Sequence, residues 1–424
     1  MIEQLEQIAR EYGTPCFVYF MDDVFRRVRE LRSVFGDLFE VSYAVKANPN
    51  PAILRRLNGR VEMLDVSSAG ELERAVMQGW DPQRISFTGP VKRDPDLQSA
   101  LRNRIGDVVL ESVEEARRLD ELAASGGRVQ PVLVRITPAR LPRGFGVNMA
   151  GRPSQFGIDE ETADAAIEEI TRLPRLRLRG FHVYSGTQCL KADAVAENYE
   201  IFLDLFQRFS ERHDVVPEKL IFGAGLGIAY HETDAPLDLQ AVAKRINPAL
   251  QAMRSLPRFR QSRLVLETGR YLIGEAGFYL TQIVRIKHSR GIDILLCDGG
   301  MNHHLGACGH LGSVVHRNYR MLQVTVPNGV REERPYDLVG PLCTSIDTLG
   351  HGVKLPGPVP GDVIAVRCSG AYGLTASPVY FISHEPAREL LVEGDREAPR
   401  VTDVSQLRSV RQTEMNSQDV LLGP

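Results

Sequence analysis

From residue 41 to residue 269 this 424-residue chain alternates short apolar runs with amphipathic stretches, eight times over. The runs are VSYAVKA (41–47), VEMLDVSS (61–68), RISFTG (84–89), DVVLES (107–112), VQPVLVRIT (129–137), LRGFHVYSG (178–186), KLIFGAG (219–225) and RLVLETG (263–269). Between them, segments such as SAGELERAVMQG, ESVEEARRLDELAAS and ENYEIFLDLFQRFSERH repeat apolar residues three or four apart, the period of a helix lying on a sheet. A strand–helix alternation predicts a parallel sheet with one crossover helix per strand, and eight strands are the number that closes a barrel. After about residue 276 the rhythm changes: YLTQIVRIKHS, GIDILLCDGG, RMLQVTV, PYDLVGPLC, DVIAVRCSG and VYFIS follow one another with turns and little helix. The expected architecture is therefore α/β, a (β/α)8 TIM barrel over residues 26–276, plus a C-terminal all-β domain over 277–424 on which residues 1–25 pack. The polar, weakly patterned tail from about 400 onward is expected to be partly mobile.

Composition narrows the function classes. Lysine plus arginine (51) nearly balances aspartate plus glutamate (54), so no basic field is expected to attract nucleic acid or anionic lipid. The opening MIEQLEQIAREYGTP lacks a basic patch followed by an apolar core, and no later window offers about twenty uninterrupted apolar residues, which predicts a cytoplasmic protein. Six cysteines without paired spacing (Cys16, Cys189, Cys297, Cys308, Cys343, Cys368) read as reduced thiols.

In a barrel of this kind reactive groups gather where strands end. Strand one ends in Lys46, strand two in Asp65 and Ser68, strand five in Arg135, and strand six in His182 and Ser185. Strand seven ends in Gly223 and Gly225, and strand eight in Glu267, Gly269 and Arg270. Lys46, in YAVKANPN, has apolar neighbours that favour a nucleophilic amine; the ordinary alternative is a strand-end lysine reaching solvent. FGAGLG and the Gly-Thr of HVYSGT offer backbone N–H groups to a phosphate, although turns need glycine in any case. Glu267 can keep a pyridine nitrogen protonated, or it can simply pair with Arg270. His182 can stack on a planar ring, or be a hydrogen-bonded core histidine.

YAVKAN, DVSSAGEL, HVYSGTQ, GAGLG, ETGRYL, CDGG, GPLC and SGAYG, in this order, resemble the ornithine and diaminopimelate decarboxylase family of alanine-racemase-like barrels, from about residue 12 to 385. That resemblance implies pyridoxal 5'-phosphate held as an aldimine on Lys46, with His182 on the ring face and Glu267 at the ring nitrogen. It further implies that Ser185, Gly225, Arg270 and Tyr372 attend the phosphate or the substrate carboxylate, and Asp65, Gly223 and Gly269 fall in the same cofactor site. Cys343 of GP-x-C would be offered by a partner subunit as a proton donor, so a homodimer with shared active sites is implied.

Departures from the family bear on the substrate. Diaminopimelate enzymes follow GP-x-C with a glutamate that binds the distal amine; Thr344 stands here. They carry an Arg-Pro and a tyrosine after DGG, whereas this chain has MNHHLGACGHLG and then HRNYRM. HVYSGTQ, MNHHLGA, RNY-x-M and GPLCT resemble a specialised branch that includes the butirosin-pathway decarboxylase of glutamate tethered to an acyl carrier protein, and the exosortase-associated decarboxylases. The expected activity is decarboxylation of an α-amino acid, presented on a carrier or as another free substrate, with Thr344, Arg270 and Tyr372 at the substrate. Rivals are a diaminopimelate decarboxylase, a racemase, whose ring nitrogen would face an arginine in place of Glu267, and a non-catalytic cofactor-binding homologue. His303, His304, Cys308 and His310 carry metal-type donors but match no common ligand spacing, so no metal is expected.

Overall fold

Eight parallel strands close on themselves in chain order: β1 (Glu40–Ala44), β2 (Met63–Val66), β3 (Ile85–Phe87), β4 (Asp107–Leu110), β5 (Gln130–Thr137), β6 (Leu176–Val183), β7 (Lys219–Gly223) and β8 (Arg263–Thr268). Closure runs through β8 beside β1, where Glu267 lies opposite Ser42, and β4 beside β5, where Val108 lies opposite Val132. This is a computed structural model that describes residues 1–311, 317–325, 332–394 and 399–406. Most of the polar tail, and parts of the loops containing HLG and HRNYRM and of the RMLQVTV run, lie outside the described residues.

The strands are apolar because both of their faces are covered. Inward positions recur every second residue and stack as tiers. Met63, Val109, Leu133, Ile221 and Val265 form the apolar middle tier. Two residues earlier, at the strand starts, Asp107 and Lys219 form a fully buried ion pair, to which Arg179 adds a contact of 3.1 Å. Two residues later stand Asp65, Glu111, Arg135, Gly223 and Glu267, so the same alternation that builds the core delivers polar groups to the mouth.

Outer helices follow seven strands: Pro51–Leu57, Ala69–Met77, Asp94–Asn103, Val113–Ser125, Ala163–Arg172, Ala192–Arg212 and Leu239–Ser255. Several begin at a side-chain cap, Ser68 accepting from the Glu71 N–H and Ser112 from the Glu115 N–H, both at 3.1 Å. The expectation of a full crossover helix after every strand fails at β8, which leads only into Arg270–Ile273. The helix before β1, Met21–Phe35, takes that place: Arg27 donates to Tyr271 at 3.1 Å and Asn247 donates to the Val34 carbonyl at 2.8 Å. A second difference is local. β1 stops at Ala44, and Lys46 sits in the 3-10 turn Val45–Ala47 rather than on the strand.

The chain divides into two compact units, neither of them continuous in sequence. One holds Phe25–Ile228 and Ala235–Leu272; the other holds Met1–Val24, Ala229–Asp234 and the described residues from Ile273 on. The second unit is built on a sheet with Cys16–Phe20 at its middle, antiparallel to Gly277–Ser289 and parallel to Arg388–Glu393. Ile292–Cys297, Glu333–Val339 and Thr348–Pro356 extend one side of the sheet and Arg400–Asp403 the other. Helix Ile2–Tyr12 presses Leu5, Ile8 and Ala9 into the core of that unit beside Val18, Phe278, Leu280 and Leu390.

The buried pair at the strand starts makes a stability prediction. Burial lowers the Lys219 pKa and Asp107 opposes that shift. Asp107→Ala leaves the ammonium buried without its carboxylate, and urea unfolding should show a loss of about 3–5 kcal/mol. Lys219→Met should cost less, because Arg179 remains on Asp107. Equal and small losses in both variants would show that the tier is not stabilised by this pair.

Candidate active site

The polar tier at the strand ends, with the turns that follow it, collects the barrel residues singled out from the sequence. Lys46 Nζ stands 3.6 Å from Asp65 Oδ2, with the Asp65 side chain fully buried and that of Lys46 42% exposed. His182 Nε2 lies 3.2 Å from Glu267 Oε2, both side chains buried. Arg135 Nη1 contacts the two Glu111 oxygens at 2.9 and 3.3 Å, and its guanidinium lies over the rings of Phe156 and Tyr184. Lys46 Nζ sits 6.0 Å from the centre of the Tyr184 ring.

Two buried carboxyls of this tier are driven in opposite directions. Burial pushes the Asp65 carboxyl up to about 8, with the charge of Glu267 adding to the rise and Lys46 opposing it. Burial also works to raise Glu267, but the hydrogen bond and charge of His182, then Lys46 and Arg135, carry it below the ordinary glutamate value. At neutral pH the tier thus holds a neutral carboxyl near the amine and an ionised one beside an imidazole. An ionised carboxylate kept out of water can hold a proton on a heterocyclic nitrogen, and a half-exposed amine can attack a carbonyl.

Both Asp65 oxygens and His182 Nδ1 are buried with no hydrogen-bond partner among the described residues. Buried polar atoms are normally satisfied, so these point to a polar guest. The turns after β6 and β7 add a cradle. Ser185 is buried and donates to Asn198 Oδ1 at 2.7 Å. A Cβ on Gly223 would collide with the Tyr184 ring, and one on Gly225, whose φ is +67°, would come within 2.8 Å of Phe145. Gly269 is held equally close, a Cβ there reaching 2.7 Å from that of Ala47, and Arg270 opens the short helix that follows. Amine, carboxylate, flat imidazole and bare backbone are what pyridoxal phosphate requires, and the residues present fit that group.

Cys343, Thr344 and Tyr372 belong to the other unit. Cys343 is exposed, in the loop between Glu333–Val339 and Thr348–Pro356. Asp347 fixes that loop by accepting from the N–H groups of Met301 and Leu342 at 2.6 and 2.8 Å. Tyr372 is half-buried with φ +54°. The histidine cluster is engaged internally: His303 meets the Tyr279 hydroxyl at 3.2 Å and the Glu385 carbonyl at 2.9 Å, and His304 Nε2 meets Ser369 Oγ at 3.0 Å. Burial holds these imidazoles down, at about 4 and about 3. Cys308 is buried and His310 lies against the Ile346 carbonyl, and no group of three or more metal-type side chains is arranged around an ion among the described residues.

Sequence reasoning did not single out Glu111 or Tyr184. Glu111 also accepts from the N–H groups of Gly157 and Gly89 at 2.6 and 3.2 Å, so it ties the loop after β5 to the tier. Its position two residues after Val109 was the available signal.

Residues 21–274 match the model of the pyridoxal-binding domain of pyridoxal-dependent decarboxylases. The chain is 34% identical over 390 residues to the L-glutamyl-[BtrI acyl-carrier protein] decarboxylase of Niallia circulans, covering 92% of this chain and 91% of that one. It is 31% identical over 404 residues to the diaminopimelate decarboxylase of Zymomonas mobilis, covering 93% and 91%. The crystal structure of diaminopimelate decarboxylase from Helicobacter pylori complexed with L-lysine superposes with a TM-score of 0.84 at 25% identity, covering 98% of this chain and 100% of that one. Among the described residues no helix is long and apolar enough to cross a membrane.

The raised Asp65 carboxyl predicts a pH signature in the cofactor-free protein. A group whose folded pKa is raised contributes stability that is full below its unfolded value, near 3.8, and is lost as pH rises through about 8. Asp65→Asn, permanently neutral, should therefore gain on the parent in thermal stability across that window, with the difference levelling above it. A difference independent of pH would mean that Asp65 is ionised in the folded protein at neutral pH.

Proposed function

Since this chain belongs to the pyridoxal-dependent decarboxylases, we propose that its substrate is an α-amino acid borne on an acyl carrier protein, most simply a glutamyl group. The chain is a carboxy-lyase that works with pyridoxal phosphate. The observation that carries the substrate reading is the 34% identity, over 92% of the chain, to a decarboxylase named for that substrate. Thr344 after Cys343 supports it, because a site lacking the carboxylate for a distal amine leaves that charge unpaired when diaminopimelate binds. A carrier arm supplies binding energy away from the reacting carbon instead.

When bound, pyridoxal phosphate supplies the conjugated ring that takes up the electron pair left by departing carbon dioxide. In this reading Lys46 would be the amine that holds the cofactor's carbonyl carbon. Glu267, kept ionised by His182, would hold a proton at the cofactor's ring nitrogen, with His182 beside it. Asp65 lies beside the amine as a neutral carboxyl. Ser185 and the backbone of Gly223, Gly225 and Gly269 receive the phosphate, while Arg270, Tyr372 and Thr344 orient the substrate. Cys343 Sγ returns a proton to the α carbon. Its exposure on its own unit suits a thiol delivered to the barrel of a second copy, so the working form in this reading is a homodimer with shared sites. Six free cysteines support residence in the reducing cytoplasm.

The test compares kcat/KM on one preparation for a glutamyl thioester on a carrier protein, free glutamate and free diaminopimelate. The carrier-linked form should lead, and losing a charged hydrogen-bond partner should hold diaminopimelate about 10- to 100-fold below it. Fastest turnover of free diaminopimelate would overturn the substrate and leave the cofactor chemistry standing.

A further inference from the structure

The first part of the loop between β5 and helix Ala163–Arg172 carries cations and no acid. Residues 138–157, PARLPRGFGVNMAGRPSQFG, contain three arginines and no carboxylate, in a chain whose net charge is −3. Arg140, Arg143 and Arg152 are all exposed, and none makes an ion pair among the described residues. Lys191, also exposed and without an ion pair there, extends the row, a Cβ on Gly144 falling 2.9 Å from its side-chain Cδ. Arginines elsewhere on this surface are commonly paired, as Arg118 is with Asp94 and Glu121 and Arg245 is with Glu200. Three exposed arginines on one loop, without an ion pair among the described residues and next to the reactive tier, offer a place for an external anion.

The inner side of the same loop is fastened to the reactive tier. Phe156 lies under the Arg135 guanidinium, and the Gly157 N–H donates to Glu111 at 2.6 Å. The Met149 N–H donates to the Ser185 carbonyl at 2.8 Å, and Val147–Asn148 pairs with Gly186–Thr187. Phe145 packs on Gly225. A molecule resting on the outer arginines is thus poised at the rim of the cradle. Beside the loop opens a concavity of about 670 Å³ lined by Leu141, Pro142, Arg143 and Lys191, with Asp193 and Glu197 on the first turns of helix Ala192–Arg212. Asp193 lies 3.8 Å from Arg245, and the charge of Glu197 acts on the same guanidinium.

Resting on the carrier-linked reading of the function, we infer that Arg140, Arg143, Arg152 and Lys191 form the docking surface for an acidic carrier protein. A carrier presents its acyl group on an arm joined through a phosphodiester, so the acyl end must enter the barrel while an anion stays at the rim. Exposed guanidiniums suit that phosphodiester and the carboxylates around it, by bidentate hydrogen bonds and by long-range attraction. The surface contributes to recognition and not to the chemical step.

The experiment uses the full-length holoenzyme and a triple variant, Arg140→Glu, Arg143→Glu and Arg152→Glu. Two probes are compared, the glutamyl thioester of an acidic acyl carrier protein and the glutamyl thioester of pantetheine, which lacks both carrier and phosphodiester. For the carrier probe the triple variant should raise KM about tenfold or more at low salt, with kcat retained and the difference shrinking as salt rises. For the pantetheine probe both parameters should stay at parental values, which also shows that the variant is folded. A carrier bearing lysines in place of acidic surface residues should recover part of the loss. An unchanged KM for the carrier probe, with the parent turning it over, overturns the docking surface alone. Failure of the parent to turn over the carrier probe overturns the substrate reading, and this surface with it.

Discussion

The contact between His182 and Glu267 governs the chemistry of the barrel mouth. Glu267 is 4% exposed, and a carboxylate taken out of water to that degree would ordinarily be neutral. It stays ionised because the imidazole lies 3.2 Å away and because Lys46 and Arg135 share the tier. Burial pushes Asp65 towards its neutral form, and the charge held on Glu267 adds to that push. Burial and that contact act together, and the amine of Lys46 stands 3.6 Å from a carboxyl whose pKa is raised.

The strand alternation that delivers these groups also explains how the barrel tolerates them. Met63, Val109, Leu133, Ile221 and Val265 fill the middle with apolar volume. Ionic groups one step towards the strand starts, Asp107 and Lys219, are satisfied by each other and by Arg179. Ionic groups one step towards the strand ends are left partly unsatisfied at Asp65 and His182. Stability and reactivity are thus separated along the barrel axis by one apolar layer, and Asp65 and His182 are among the buried polar groups without partners among the described residues.

The barrel was legible because its strands are apolar on both faces and its helices are periodic, so each element carries its own signal. The strand ends were legible for the same reason: Lys46, His182 and Glu267 interrupt runs that are otherwise apolar. Pairing was harder to read. Period two alone puts Glu111 in the reactive tier, but only closure of β4 against β5 brings it to Arg135. The missing crossover after β8 was hidden because Met21–Phe35 precedes the first strand and looks like an ordinary leading helix. Ala229–Asp234 likewise gives no local sign of belonging with the later chain. Its membership rests on distant contacts, such as His231 with the Asn318 carbonyl at 2.8 Å and Arg317 with Asp234 at 2.9 Å. The histidines after DGG carry donors that their sequence alone leaves without a role. Their donors suit a metal, yet Tyr279, Glu385 and Ser369 use the ring nitrogens internally.

The proposed role of Lys46 as the residue that carries the cofactor is tested most directly by borohydride reduction of the pyridoxal-phosphate-loaded enzyme followed by peptide mass mapping. The reduced adduct should lie on the peptide containing YAVKANPN, at Lys46, and should vanish in Lys46→Ala. An adduct on another lysine, or one that persists in the active site of Lys46→Ala, would contradict that role.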